Sequence, residues 1–183
     1  NNVVLTHIPD RIKEGYGPSV DSINMFIEKG VTLLISVDCG TSSNDIFESV
    51  ESNIDIIVLD HHQPSESLPD VYAVVNPNRL DDSSGLGFLC ASGVVFLTLV
   101  ALNRILREDK YFNKIKEPDL LNCLQLIAMA TITDVVPLVG LNRAFVYQGL
   151  KLINKNMNEG LKAIVDNSSI YGDISAYHFG YIF

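Results

Sequence analysis

Two short runs decide the fold: Val31-Thr32-Leu33-Leu34-Ile35-Ser36-Val37, ending at Asp38-Cys39-Gly40, and Ile54-Asp55-Ile56-Ile57-Val58-Leu59, ending at Asp60-His61-His62. Each is a near-continuous apolar stretch rich in branched residues and of strand length, the pattern of a strand buried on both faces. Between them, Ser42 or Ser43 is placed to cap a helix through about Asn53. Strand, short loop, helix and strand make a βαβ unit, so the two strands are expected to be parallel neighbours.

The same reading places chemistry. In an open parallel sheet, ligands bind beyond the carboxyl ends of the strands. Asp38 and Asp60-His61-His62 both follow strand ends, so they are expected on one rim. Two carboxylates and two imidazoles suit Mg²⁺ or Mn²⁺, since Mn²⁺ also accepts imidazole nitrogen. Singly, an Asp after a strand is often a helix cap, and adjacent histidines on a loop are often only solvated. The βαβ register is what makes their joint placement informative.

Outward from this unit, Val3-Val4-Leu5 with Asn1 and Asn2 reads as a strand, and Ser19 caps a helix to about Lys29, stopped by Gly30. Val71 to Val75 reads as a further strand. Helices are expected at about Ala91–Arg107, from Pro118 to about Thr133, and near Asn142–Asn154 and Glu159–Asp166. Asp134 falls just past a helix C-terminus, which is electrostatically poor for a carboxylate. It is followed by the apolar Val135-Val136-Pro137-Leu138, and the pair of features points to a partner cation. His7 and His178 have no such context and read as structural.

Composition sets the bounds. The chain has 183 residues, 47% hydrophobic and 19% charged, enough for a packed α/β domain and too apolar for disorder. The longest mostly apolar run, Cys90 to Leu102, is too short to span a bilayer, and with no basic n-region and apolar h-region at the start of the sequence a secretory signal is not expected. Cys39, Cys90 and Cys123 match neither a zinc spacing nor a disulfide framework, and read as buried or half-buried thiols in a reducing cytosol. The net charge of −9 argues against a broad nucleic-acid surface and fits a site that collects cations.

Five ordered stretches carry a resemblance. Leu59-Asp60-His61-His62, with Leu68-Pro69 and Val74-Val75-Asn76-Pro77-Asn78 behind it, resembles the signature of the DHH phosphoesterase family. Ile8-Pro9-Asp10-Arg11 with Glu14-Gly15-Tyr16-Gly17 resembles the RecJ branch of that family. So do Ser36-Val37-Asp38-Cys39-Gly40-Thr41-Ser42, Leu89-Cys90-Ala91-Ser92-Gly93-Val94, and Thr131-Ile132-Thr133-Asp134-Val135-Val136-Pro137-Leu138 followed by Asn142-Arg143. The family's Asp-x-Asp motif on a first strand is expected before residue 1, and a further nucleic-acid-binding region after Phe183.

The resemblance implies an α/β fold, a parallel-sheet phosphoesterase domain with helices on both faces. Residues 1–135 would be the catalytic core and 136–183 a helical continuation. It implies a cytoplasmic enzyme with no membrane association that degrades single-stranded DNA from 5′ to 3′ in repair and recombination. The alternatives are a nano-RNase or cyclic-dinucleotide phosphodiesterase, or a DHH binding module without catalysis. Two divalent cations, Mn²⁺ or Mg²⁺, would sit about 4 Å apart in the intact enzyme and bind weakly or not at all to this chain alone. Asp38 would bridge them, His61 and Asp134 would hold one, and Asp60 would orient the neighbouring imidazole. His62 would meet the scissile phosphate, Arg11 is a phosphate ligand candidate, and Tyr16 a base-stacking one. Arg143 reads as structural. A basic groove in the C-terminal region would reconcile the acidic charge with a DNA substrate. The sequence names no protein partner.

Overall fold

A computed structural model describes residues 3–50, 54–168 and 170–183. The chain divides into two compact units, residues 1–87 and 88–183.

The first unit holds a three-stranded parallel sheet in the order β1-β2-β3: β1 Leu33–Val37, β2 Asp55–Leu59 and β3 Ala73–Val75. Register pairs Leu33 with Asp55 and Val37 with Leu59, then Leu59 with Val75. All three strands therefore end at the same edge. Helix α1, Val20–Glu28, starts where Ser19 accepts a hydrogen bond from the Ser22 amide and ends before Gly30 at φ +76°. Helix α2, Asn44–Glu48, links β1 to β2. One face of the sheet presents Ile56 and Val58, which pack with Ile23 of α1 and Phe47 of α2. Burying a side chain of this kind is worth roughly 1.5–3 kcal/mol, so these four anchor the unit.

The parallel βαβ unit is as expected, but three local readings change. Val3–Leu5 forms no strand, and Asn1 and Asn2 lie outside the described residues. Helix α2 is shorter than expected, with Ser49 as its C-cap; the last residues of the expected helix, 51–53, lie outside the described residues. Strand β1 is not buried on both faces: Leu33, Ile35 and Val37 are 48%, 52% and 47% exposed. Side chains alternate between faces, and only the Leu34 face of β1 joins the α1/α2 core, so the face that carries Leu33, Ile35 and Val37 stays open.

The second unit is helical: α3 Ala91–Glu108, α4 Leu124–Thr133, α5 Gly140–Lys155, α6 Glu159–Asp166 and α7 Ala176–Tyr181, with short 3₁₀ turns at Tyr111–Asn113 and Leu120–Cys123. The helix expected from Pro118 thus begins as a 3₁₀ turn, and α7 is an addition to the helices expected from the sequence. Cys123, expected to be buried or half-buried, is exposed on that turn, whereas Cys90 is buried. One core gathers Ile153, Leu161, Ile174 and Phe179, and Phe96 meets Phe145 edge to face at 5.4 Å. Buried Asn142 donates to the carbonyls of Phe88 (2.6 Å) and Pro137 (2.9 Å), tying the start of α5 to the preceding loop. Among the described residues no helix is long and apolar enough to cross a membrane.

Candidate metal centre

Asp38 and Asp60 are the first residues past β1 and β2, and their amides extend the ladder by donating to the carbonyls of Leu59 and Val75, each at 3.0 Å. Strand pairing thus delivers both to one edge. Asp38 then leaves strand geometry altogether, with φ at +63°. An L-residue with a Cβ adopts that conformation at a cost of roughly 1–2 kcal/mol, Asp tolerating it better than most. Gly40 follows at φ +108°, where an added Cβ would lie 2.9 Å from Ser36 Oγ, so the turn is closed to larger residues.

The turn brings the Asp38 carboxylate to His61, with Oδ1 and Nε2 3.3 Å apart. The His61 and His62 rings lie 4.5 Å apart. One donor atom each from Asp38, His61 and His62 falls within 4.8 Å of the others. That spacing fits a single ion bound by one carboxylate oxygen and imidazole nitrogen, a donor set suited to Mn²⁺. The Cys39 thiol is directed elsewhere, 3.3 Å from Ser36 Oγ and 3.4 Å from the Val37 carbonyl, so the cluster lacks the thiolate of a structural zinc site.

Asp60 stands behind the cluster, only 1% exposed. Its Oδ1 accepts from His62 Nδ1 (2.7 Å) and from the His61 amide (2.7 Å), and its Oδ2 from the Thr41 amide (3.1 Å). Burial pushes the Asp60 carboxyl up, but the hydrogen bonds from His62, Thr41 and His61 outweigh it and hold the group below its ordinary value. An ionised Asp60 can only accept, so His62 must carry its proton on Nδ1, leaving Nε2 as its acceptor or ligand atom. This is the carboxylate-to-histidine arrangement by which proteins fix a ligand's tautomer.

Two residues without an assigned role complete the frame. Asn76 Nδ2 donates to Thr41 Oγ1 (2.9 Å) and to the His62 carbonyl (2.8 Å). Asn78 Nδ2 donates to the His61 carbonyl at 2.5 Å, and its amide donates to Asn76 Oδ1 at 2.8 Å. Both histidines are thus held by side chain and backbone together. The signal was available: Asn76 follows β3 as Asp38 follows β1, at the same sheet edge.

Tyr16 and Arg11 lie at the rim of the same unit. The Tyr16 hydroxyl donates to the Asp38 carbonyl, its ring meets that of His62 edge to face at 5.6 Å, and the Arg11 guanidinium carbon sits 5.8 Å from the tyrosine ring. Asp134 belongs to the second unit, where it caps the C-terminus of α4, with Val135 beside it at φ +58°. A branched residue in that conformation is a genuine outlier and marks the stretch as constrained. His7 holds Glu14 at 2.8 Å, and His178 closes the N-terminal capping box of α7.

Comparison with known proteins identifies relatives on both sequence and structure. The model of the DHH family, N-terminal domain, matches residues 1–131. The single-stranded-DNA-specific exonuclease RecJ of Haemophilus influenzae is 42% identical over 80% of this chain, and that of Salmonella typhimurium 36% over 88%. The chain spans only 26% and 29% of the lengths of those two proteins. A crystal structure of exonuclease RecJ bound to manganese superposes with a TM-score of 0.76 at 31% identity, covering 96% of this chain and 42% of that one. RecJ of Thermus thermophilus in complex with Mn²⁺ gives 0.69 at 29% identity, over 89% of this chain and 23% of that one. With its parallel sheet, its Asp-His-His sequence at the end of β2 and a family match over most of its length, the chain belongs to the DHH family.

Proposed function

We propose that this chain is the core of a metal-dependent phosphodiesterase that degrades single-stranded DNA from the 5′ end, in cytoplasmic repair and recombination. The observation that carries the reading is the Asp38–His61–His62 cluster at the carboxyl edge of a parallel sheet. Similarity to single-stranded-DNA-specific RecJ exonucleases, two RecJ structures among its relatives being solved with manganese, supports the substrate class, and the direction is carried over from the resemblance of its motifs to the RecJ branch.

Asp38 and His61, with Asp134, would hold the ions, and two ions in the intact enzyme accord with the carboxylate-rich chemistry of such sites. When bound, Mn²⁺ or Mg²⁺ polarises the phosphoryl oxygens and makes water acidic enough to attack at neutral pH. This chain's own work is positional. Asp60 fixes the His62 ring so that Nε2 is available to the metal as a ligand or, when it carries a proton, to the scissile phosphate as a donor, and Asn76 and Asn78 fix the backbone of both histidines. Arg11 offers a guanidinium to a phosphate at the rim. The exposed ring of Tyr16 offers a base a stacking face. With a net charge of −9, the chain binds a polyanion through its ions and Arg11, and a basic surface elsewhere in a longer protein would supply the remaining contacts.

The test is an exonuclease assay on the full-length protein with a 5′-phosphorylated single strand, a 3′-blocked strand and a duplex. Mononucleotides should leave the 5′ end of the single strands in Mn²⁺ and stop with chelator. Asp38→Asn, which Asn's tolerance of positive φ makes compatible with the turn, should lose more than the roughly 10–100-fold typical of removing a partner behind a ligand. Metal-independent cleavage, or equal attack on duplex, would contradict the reading.

A further inference from the structure

We infer that Tyr16 is a positioning residue of the metal centre, setting the aim of Asp38 from behind the turn. This rests on the reading of Asp38 and His61 as metal ligands, with His62 beside them, and goes beyond it.

Asp38 occupies the left-handed region, and from there its carboxylate lies 3.3 Å from His61. The turn is anchored on either side. Upstream, the Asp38 amide stays bonded to Leu59; downstream, Ser36 Oγ donates to the Cys39 carbonyl (2.9 Å) and the Thr41 amide to Asp60. Between these anchors lies the Asp38–Cys39 peptide, whose orientation is set by the ψ angle of Asp38. The Tyr16 hydroxyl donates to its carbonyl. Fixing that carbonyl fixes the backbone of the one non-glycine residue of the turn held at positive φ, and with it the base from which its carboxylate is aimed. The same hydroxyl oxygen lies 3.2 and 3.3 Å from the two ring nitrogens of His62, so one side chain touches both arms of the cluster.

The loop that carries Tyr16 is built for rigid delivery. Asp10 Oδ1 accepts the amides of Ile12 (3.0 Å) and Lys13 (3.2 Å), Glu14 Oε1 accepts the Asp10 amide (2.8 Å), and Glu14 Oε2 meets His7 at 2.8 Å. Gly15 and Gly17 flank the tyrosine at φ +87° and +86°, a double reversal open to glycine at little cost. Gly17 is buried, and a Cβ there would touch that of Cys39 at 3.7 Å. A base-stacking residue needs its ring; this one also commits its hydroxyl to the turn. The two roles separate on Tyr16→Phe, which keeps the ring and removes the hydroxyl, against Tyr16→Leu, which removes both.

The experiment measures three things on the full-length protein: hydrogen exchange of the Asp38–Thr41 amides without metal, Mn²⁺ affinity by electron paramagnetic resonance, and the Mn²⁺ concentration for half-maximal exonuclease rate. Tyr16→Phe should speed exchange across Asp38–Thr41 while leaving α1 protected. It should weaken Mn²⁺ binding about tenfold and shift the half-maximal Mn²⁺ concentration by the same factor, with rate recovering as Mn²⁺ is raised. A general fold defect would instead speed exchange in α1 as well as across the turn. If Tyr16→Phe matches wild type in exchange and Mn²⁺ affinity, the hydroxyl positions nothing and the inference is overturned, whether or not Tyr16→Leu weakens DNA binding. If the wild type itself binds no Mn²⁺ at Asp38, the metal-centre reading fails, and unchanged or faster exchange in Tyr16→Phe still decides whether the hydroxyl holds the turn.

Discussion

Asp60 buries a negative charge and surrounds it with donors from His61, His62 and Thr41. Replacement by Asn is almost isosteric but reverses this logic. One of its two terminal atoms becomes a donor, facing either the His amide and ring nitrogens or the Thr41 amide, so a buried donor–donor contact arises on one side. Losing one partner of a buried charged network costs about 3 kcal/mol, and Asp60→Asn should show that loss in urea unfolding along with release of the His62 ring from its tautomer. Stability within about 0.5 kcal/mol of wild type, the range of an ordinary surface substitution, would mean the network adds nothing to the fold. At this scale the sequence was informative for Asp38, Asp60, His61 and His62, because strand ends in a βαβ unit share an edge by geometry alone. It marked Asn76 only by its place at the end of β3, and was silent on the hydroxyl bond from Tyr16 and on which groups the Asn76 amide would meet. Those contacts join residues 14 to 35 positions apart, and no periodicity in a chain records them.

Among the elements, α1, β2 and α3 were legible because each has its own local signal: Ser19 as cap and Gly30 as stop, a branched apolar run, and an apolar helix bounded by polar segments. The exposed face of β1 was not, since a run of apolar residues states what a strand can bury and not what lies against it. Helix α5 was legible in extent, yet its closest contact was not. Gly149 faces α4 so tightly that a Cβ would lie 2.2 Å from the Leu124 carbonyl oxygen and 2.4 Å from Ala128 Cβ. The helices must separate to admit even a methyl group, and backbone cannot swing aside as a side chain can. Gly149→Ala gains helix propensity of about 1 kcal/mol but should still destabilise the second unit by a net of roughly 2 kcal/mol or more, in keeping with overpacked cores. Thermal melting checks it, and a Tm equal to or above wild type would show that α4 and α5 shift freely.

For the molecule as a whole, the parallel α/β core and its helical second unit were readable from the order of patterns, and DHH membership from ordered motifs that the family match over residues 1–131 confirms. The cluster of Asp38, His61 and His62 is complete within the first unit and offers three donors. Mn²⁺ and Mg²⁺ favour about six oxygen or nitrogen ligands, so even with the proposed Asp134 water must supply much of the shell on this chain. Binding to the 183-residue chain should therefore be weak, and exonuclease activity of the chain alone slight. The most direct test of the central claim is a Mn²⁺ titration of this chain by calorimetry and electron paramagnetic resonance, beside its Asp38→Asn variant. The account predicts weak, saturable binding of one ion, with affinity falling at least about tenfold in Asp38→Asn while circular dichroism is unchanged. Binding that Asp38→Asn leaves intact, or tight binding of two ions to the chain alone, would contradict it.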